Sequence, residues 1–184
     1  MKVFLIRHAE CVGNISNRIS GRTDFELTDN GRVQAQKLAQ KLKKEKIDII
    51  YSSPLKRAVE TAEYIATEKN IDNIHIDNGL IEINYGDCDG LSWDEINYRY
   101  PMVWKYWKEI YNYPVFMPNQ EEFSEVATKM NETIKKIERD NNEKNICIIS
   151  HGIAIQSYLC LLYNKPYNKA NELPQLKNAE YIEL

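Results

Sequence analysis

The stretch Val3-Phe4-Leu5-Ile6-Arg7-His8-Ala9-Glu10 decides the fold. Its first four residues form a strand-like apolar run, which delivers Arg7 and His8 together at its C-terminal end. In open α/β sheets the crevice beyond the strand ends is where ligands bind. A guanidinium beside an imidazole suits a phosphate ester, because one can hold the oxygens while the other attacks phosphorus. The motif is short, so its reading depends on matching parts elsewhere in the chain.

Working outward, further strand-like runs fall at Ile47 to Tyr51, Ile74 to Ile76, Ile146 to Ile149 and Tyr181 to Leu184. Helical patterns alternate with them, which indicates an α/β fold. The expected architecture is a three-layer α/β/α sandwich with a mostly parallel central sheet and a helical lid insertion. One helix is capped by Thr28 and extends to about Lys44. The next opens on Ser53-Pro54, an N-cap followed by proline, and turns Leu55, Val59, Ala62 and Ala66 toward the sheet. Phe123, Val126, Ala127, Met130, Ile134 and Ile137 form the apolar stripe of a later helix. A last helix follows Gly152 and points Ile155, Leu159 and Leu162 inward. All three tryptophans (Trp93, Trp104, Trp107) fall between about 84 and 117, where Ser92-Trp93-Asp94-Glu95 is a capping box. That segment is expected to be the lid of a single domain spanning 1–184. Its aromatic residues suit either an accessory core or a substrate pocket.

With 184 residues, 43% of them apolar and 28% charged, the chain can bury a substantial core and is not of the disordered class. A net charge of −3 gives no reason to expect a nucleic-acid partner, so phosphate recognition must come from local cations. The basic stretch Lys41 to Lys46 ends a helix, where cations favour the dipole, and reads as a solvated face. No apolar run reaches the length of a membrane span, and the first is too short for a signal peptide. The four cysteines, Cys11, Cys88, Cys147 and Cys160, lack close spacing. Reduced thiols in a cytoplasm are the expected state.

Three elements answer the opening motif. Ser52-Ser53-Pro54-Leu55-Lys56-Arg57 follows the second strand and places Arg57 in the first turn of a helix. Helical side chains lean toward the N-terminus, so Arg57 can reach the strand-end crevice. Ser150-His151-Gly152 puts a second histidine at another strand end, whereas His75 lies within a strand and has no assigned role. Glu82, just past the third strand, can protonate a departing alkoxide. Glu10, Asp24, Asp87 and Asp89 compete for that role.

Together these residues resemble the histidine phosphatase superfamily, also called phosphoglycerate mutase-like. The resemblance runs through Arg7-His8-Ala9-Glu10, Asn14, Gly21-Arg22-Thr23-Asp24, Leu27-Thr28, Gly31, Ser52 to Ala58, Thr61-Ala62, Leu80 with Glu82, Gly86 with Gly90, and Ser150-His151-Gly152. It is strongest to the short phosphatases, among them α-ribazole and broad-specificity phosphatases, which share Tyr100-Pro101 followed by Trp104 and Trp107. The resemblance implies catalysis by His8, Glu82 and His151, with the phosphoryl group held by Arg7, Asn14, Arg57 and His151. Arg18 or Thr23 would assist nearby. It implies a small phosphate-ester substrate and no metal; no cofactor, nucleic-acid partner or membrane partner is expected.

The chain departs from the family pattern at Cys11, at Cys88-Asp89-Gly90 and at Gln120-Glu121-Glu122, where relatives often carry Thr or Ser, Trp-Glu-Gly and Gly-Glu-Ser. Cys11 beside the site is expected to make activity sensitive to oxidation. A phosphoglycerate mutase would use the same groups but needs extra basic residues in the lid. Trp104-Lys105-Tyr106-Trp107-Lys108 offers no arginine pair, so hydrolysis is favoured. A cysteine-dependent phosphatase fails on spacing, since Cys11 and Arg18 are seven apart with one glycine between them. A non-enzymatic phospho-ligand module is the remaining alternative.

Overall fold

A computed structural model describes residues 1–110 and 117–184, with side chains outside 106–116. Tyr106, Trp107 and Lys108 of the expected lid therefore lie outside the described side chains. Five strands form one mixed sheet: β1 (Val3–Arg7), β2 (Ile49–Ser52), β3 (Ile74–Ile76), β4 (Ile146–Ser150) and β5 (Tyr181–Glu183). Their order is β3-β2-β4-β1-β5; β5 runs antiparallel to β1, and the other pairings are parallel. The expected α/β sandwich is what the chain adopts.

Alternation along the strands builds two cores. Val3, Leu5, Ile146 and Ile148 pack against α6 (Phe123–Asp140) and α7 (Gly152–Leu162). Phe4, Ile6, Cys147 and Ile149 face the opposite way, onto α2 (Asp29–Lys41) and α3 (Lys56–Lys69). The six-residue apolar stripe of α6 is buried as its spacing requires. Each large apolar side chain there contributes about 1.5–3 kcal/mol by leaving water.

Thr28 caps α2 as expected, its hydroxyl accepting from Gly31 N. The helix ends at Lys41 and passes into a 3-10 turn over Leu42–Lys44. Three local expectations are corrected. Helix α3 starts at Lys56 rather than at Ser53-Pro54, with extended Leu55 as N-cap, because the Ser53 hydroxyl is engaged by His151 and by Leu55 N. Val59 is only half-buried, and the inward face of α3 carries Ala58, Ala62, Ile65 and Ala66. Leu162 is exposed, since the buried run of α7 ends at Cys160.

The described residues of the 84–117 segment include the helices α4 (Trp93–Arg99) and α5 (Pro101–Ile110). The Ser92–Glu95 capping box forms. Cys88, Ile96, Met117 and Ile19 make a small core there, with Tyr85, Trp93 and Tyr100 packed on it. No helix among the described residues is long and apolar enough to cross a membrane.

Candidate active site

Strand register assembles the site. Arg7 lies opposite Ser150 across β1 and β4, while Ser52 lies opposite Ile149 across β2 and β4. The next residues, His8, His151 and Ser53, therefore leave three adjacent strand ends together. The rings of His8 and His151 are 5.1 Å apart. A cleft of about 460 Å³ opens there, lined among others by Arg7, His8, Asn14, Arg57 and Glu82.

Arg57 joins the two histidines. Its Nε donates to His8 Nε2 at 3.3 Å and to His151 Nδ1 at 3.2 Å. Nη1 donates to the Thr23 carbonyl at 2.9 Å and Nη2 to the Gly21 carbonyl at 2.7 Å. A guanidinium carries five donors, so one N–H on each terminal nitrogen is left for a ligand. Gly21 can present its carbonyl this way because it takes a φ of +42°, and a Cβ there would strike Asp89. Arg57 is fully buried, which pushes its pKa down; the charge of Glu82 is the largest opposing influence.

The tautomers follow from the partners. His8 Nδ1 lies 2.7 Å from the Ala9 carbonyl, which can only accept, so Nδ1 carries the proton and Nε2 the lone pair. His151 accepts from Arg57 at Nδ1, so its Nε2–H donates to the Ser53 hydroxyl at 2.6 Å. Burial first, then the charge of Arg57, holds both histidines well below the usual range. The Ala9 amide donates to Thr61 Oγ1, whose own hydroxyl is tied to the Arg57 carbonyl. This fixes the turn that carries His8.

Arg7 donates through Nη1 to the Leu176 carbonyl at 2.8 Å, yet its Nε is buried without a partner. An orphan buried donor is costly, about 1–3 kcal/mol, and an anion in the cleft would satisfy it. Gly152 packs flat against this guanidinium: a Cβ there would sit 3.2 Å from Cζ and 3.3 Å from Nε.

Glu82 lies beside the N-terminus of α7. Its Oε1 accepts from Ile83 N and Ala154 N, and its Oε2 from Ile153 N at 3.2 Å. Burial raises its pKa, against the pull of those amides and of Arg57. The competing carboxylates are engaged elsewhere. Glu10 takes Thr28 and Asn30, Asp24 takes Lys56 N, Asp87 takes Asn119, and Asp89 takes Arg22 N and Tyr85 N.

Asn14, on the short helix α1 (Val12–Ile15), accepts through Oδ1 from Cys11 N and Asn178 Nδ2 and lines the cleft. Arg18 is held by the Gly90 carbonyl and by Glu95. Thr23 contributes its carbonyl to Arg57, not its hydroxyl. Cys11 is fully buried with its thiol on Asn14, which counters the expected sensitivity to oxidants. All four cysteines are free.

Sequence reasoning missed the segment before β5. Leu176 holds Arg7, Asn178 donates to the His8 carbonyl at 3.0 Å, and Gln175 lines the cleft. It also missed Gln156 on α7. Residues 175–178 lie far in sequence from the strand-end motifs, and Gln156, one turn into α7, is not marked by any apolar periodicity. Ser53 stood in a recognised motif, but its work for His151 was hidden behind its apparent role as a cap.

Residues 3–184 match the family model described as the histidine phosphatase superfamily (branch 1). Phosphoserine phosphatase 1 of Hydrogenobacter thermophilus is 32% identical over 169 residues, which is 92% of this chain and 79% of that protein. A mycobacterial glucosyl-3-phosphoglycerate phosphatase solved with VO3 superimposes with a TM-score of 0.87 at 25% identity, covering 99% of this chain and 91% of that one. Phosphoserine phosphatase of Entamoeba histolytica, solved with 3-phosphoglyceric acid, gives a TM-score of 0.81 at 32% identity, covering 99% and 89%.

Proposed function

Since the chain belongs to the histidine phosphatase superfamily, branch 1, we propose that this phosphatase hydrolyses small phosphate monoesters through a phosphohistidine on His8, without a metal ion. The observation that carries the reading is the His8 tautomer. Its Nδ1–H is anchored on Ala9, and the Nε2 lone pair faces Arg57 and the cleft. A ring held neutral by burial keeps that lone pair available at neutral pH.

In this reading a phosphoryl oxygen takes the orphan Nε–H of Arg7, and the spare N–H groups of Arg57 and the Asn14 amide take others. His151 Nδ1 faces the same group and donates once the dianion has drawn a proton to it. Cationic side chains thereby supply the charge stabilisation that phosphoryl transfer requires. His8 Nε2 forms the bond to phosphorus as the bond to the ester oxygen breaks. Glu82 gives its proton to the departing alkoxide. As a carboxylate it then takes a proton from the water that attacks the phosphohistidine, which returns His8 and inorganic phosphate. The helices α4 and α5 act as the lid.

Water is the acceptor rather than a second acidic substrate, because Arg18 at the outer cleft is already paired with Glu95 at 3.0 Å. Phosphate release over a panel of metabolite esters, with and without chelator, tests the reading. Wild-type turnover should survive chelation, and His8→Ala should abolish it. Chelator-sensitive turnover, or turnover by the variant, would refute it.

A further inference from the structure

Beyond the phosphoryl subsite, Arg18 is the one charged side chain among the described lining residues, and it is paired with Glu95. Gln156, buried on α7, donates through Nε2 to the Ala170 carbonyl at 2.6 Å. Gln175 donates to the same carbonyl at 2.8 Å and to the Leu173 carbonyl at 3.2 Å. A carbonyl can only accept, so both amide orientations are fixed: the nitrogens lie on the 170–173 turn and the two Oε1 atoms are the free ends. Both residues line the cleft. Gln175 has no N–H left, and Gln156 keeps one. Among the described lining residues the only carboxylate is Glu82, and the arginines are Arg7, Arg57 and the Glu95-bound Arg18. Tyr85, Trp93 and Phe123 supply apolar faces.

We propose that the Gln156–Gln175 pair is the leaving-group subsite and selects a neutral, hydroxyl-bearing alcohol, that is, a polyol or sugar phosphate. The proposal rests on the phosphatase reading above and names its substrate class. Hydroxyls can donate to both Oε1 atoms and accept from the remaining Gln156 N–H, while carbon–hydrogen faces lie on the aromatic rings. A carboxylate at this place would face two acceptor oxygens and, among the described lining residues outside the phosphoryl subsite, only the Glu95-bound Arg18 as a cation. An ammonium would have no carboxylate among the described lining residues beyond the one assigned to proton transfer. Desolvating either charge without a partner is costly.

The test compares kcat/KM for a hexitol 6-phosphate, 6-phosphogluconate, n-hexyl phosphate and O-phosphoserine. The hexitol ester should exceed each of the others by about tenfold or more, the effect of one or two hydrogen bonds. In Gln175→Met, an exposed position, and separately in Gln156→Met, the hexitol-to-hexyl ratio should fall several-fold, with thermal melts confirming that each variant folds. Wild-type preference for 6-phosphogluconate or phosphoserine, or a ratio unmoved in Gln175→Met, would overturn the proposal. Titration of hexitol phosphate and 6-phosphogluconate into His8→Ala reads the same preference without turnover. A binding preference that persists while no ester is hydrolysed would sink the phosphatase reading and leave the subsite standing. Hydrolysis without the preference would do the reverse.

Discussion

Replacing Glu82 by Gln separates proton donation from every other task of the site. The carboxylate accepts three backbone N–H bonds, two on Oε1 and the weakest, at 3.2 Å from Ile153 N, on Oε2. A glutamine amide can keep the Oε1 pair and loses only the Oε2 bond. The unpaired Ile153 N–H costs about 1–3 kcal/mol. Removing a carboxylate whose charge is disfavoured by burial offsets part of that. Stability should therefore fall by no more than about 1–2 kcal/mol, or a few degrees in Tm at roughly 2–4 °C per kcal/mol for a chain of this size. Catalysis should respond very differently. A positioned general acid is worth about 10²–10⁴ in rate, and an alkyl ester needs all of it because its alkoxide is a poor leaving group. An aryl ester such as p-nitrophenyl phosphate leaves without protonation. Glu82→Gln should slow alkyl phosphates by about 10²-fold or more and p-nitrophenyl phosphate by less than about tenfold. The high-pH limb of the alkyl-ester profile, placed above the ordinary carboxylate range by the raised pKa, should vanish in the variant. Equal losses on both esters would refute the assignment of the proton donor.

Three further outcomes follow from the same geometry. Both histidines have folded pKa values depressed below their unfolded values, so the unfolded chain binds more protons below about pH 6.5 and stability falls as pH drops through that point. Each contributes a slope of up to about 1.4 kcal/mol per pH unit in denaturant titrations. His8→Ala should remove one share, and an unchanged slope would contradict the burial argument. Gly152→Ala puts a Cβ 3.2 Å from Arg7 Cζ, displacing the guanidinium by a few tenths of an ångström and raising KM several-fold at near-constant Tm; an unchanged KM would show that Arg7 does not hold the substrate. Arg22→Met frees the Glu82 carbonyl, which Arg22 Nε holds at 3.1 Å while its Nη2 pairs with Glu121 at 2.7 Å. This should lower kcat on alkyl esters by about tenfold, with little effect on KM or on aryl esters, since misplacing a group costs rate before affinity.

The sheet and most of the candidate site were legible in the sequence because strand-end residues announce themselves. An apolar run followed at once by Arg7-His8 or by Ser150-His151-Gly152 leaves few places for those side chains to point. The α6 stripe was legible because a 3.6-residue period repeats from Phe123 to Ile137. The start of α3 was not, because Ser53 and Pro54 carry the signature of a cap while the hydroxyl serves His151. Leu162 was misread because periodicity says which face a residue lies on and not where the neighbouring element ends. The carbonyls of Gly21, Thr23 and Leu176 that orient the two arginines belong to the backbone and leave no trace in residue type. The amide orientations of Gln156 and Gln175 depend in the same way on a carbonyl at position 170.

The central claim is that nitrogen of His8 bonds to phosphorus. Mixing enzyme with a phosphate ester, quenching within milliseconds and mapping the phosphorylated peptide by mass spectrometry tests it directly. The account predicts an acid-labile, base-stable phosphoryl group on His8. Phosphate recovered on a cysteine or a carboxylate, or turnover with His8 never labelled, would contradict it.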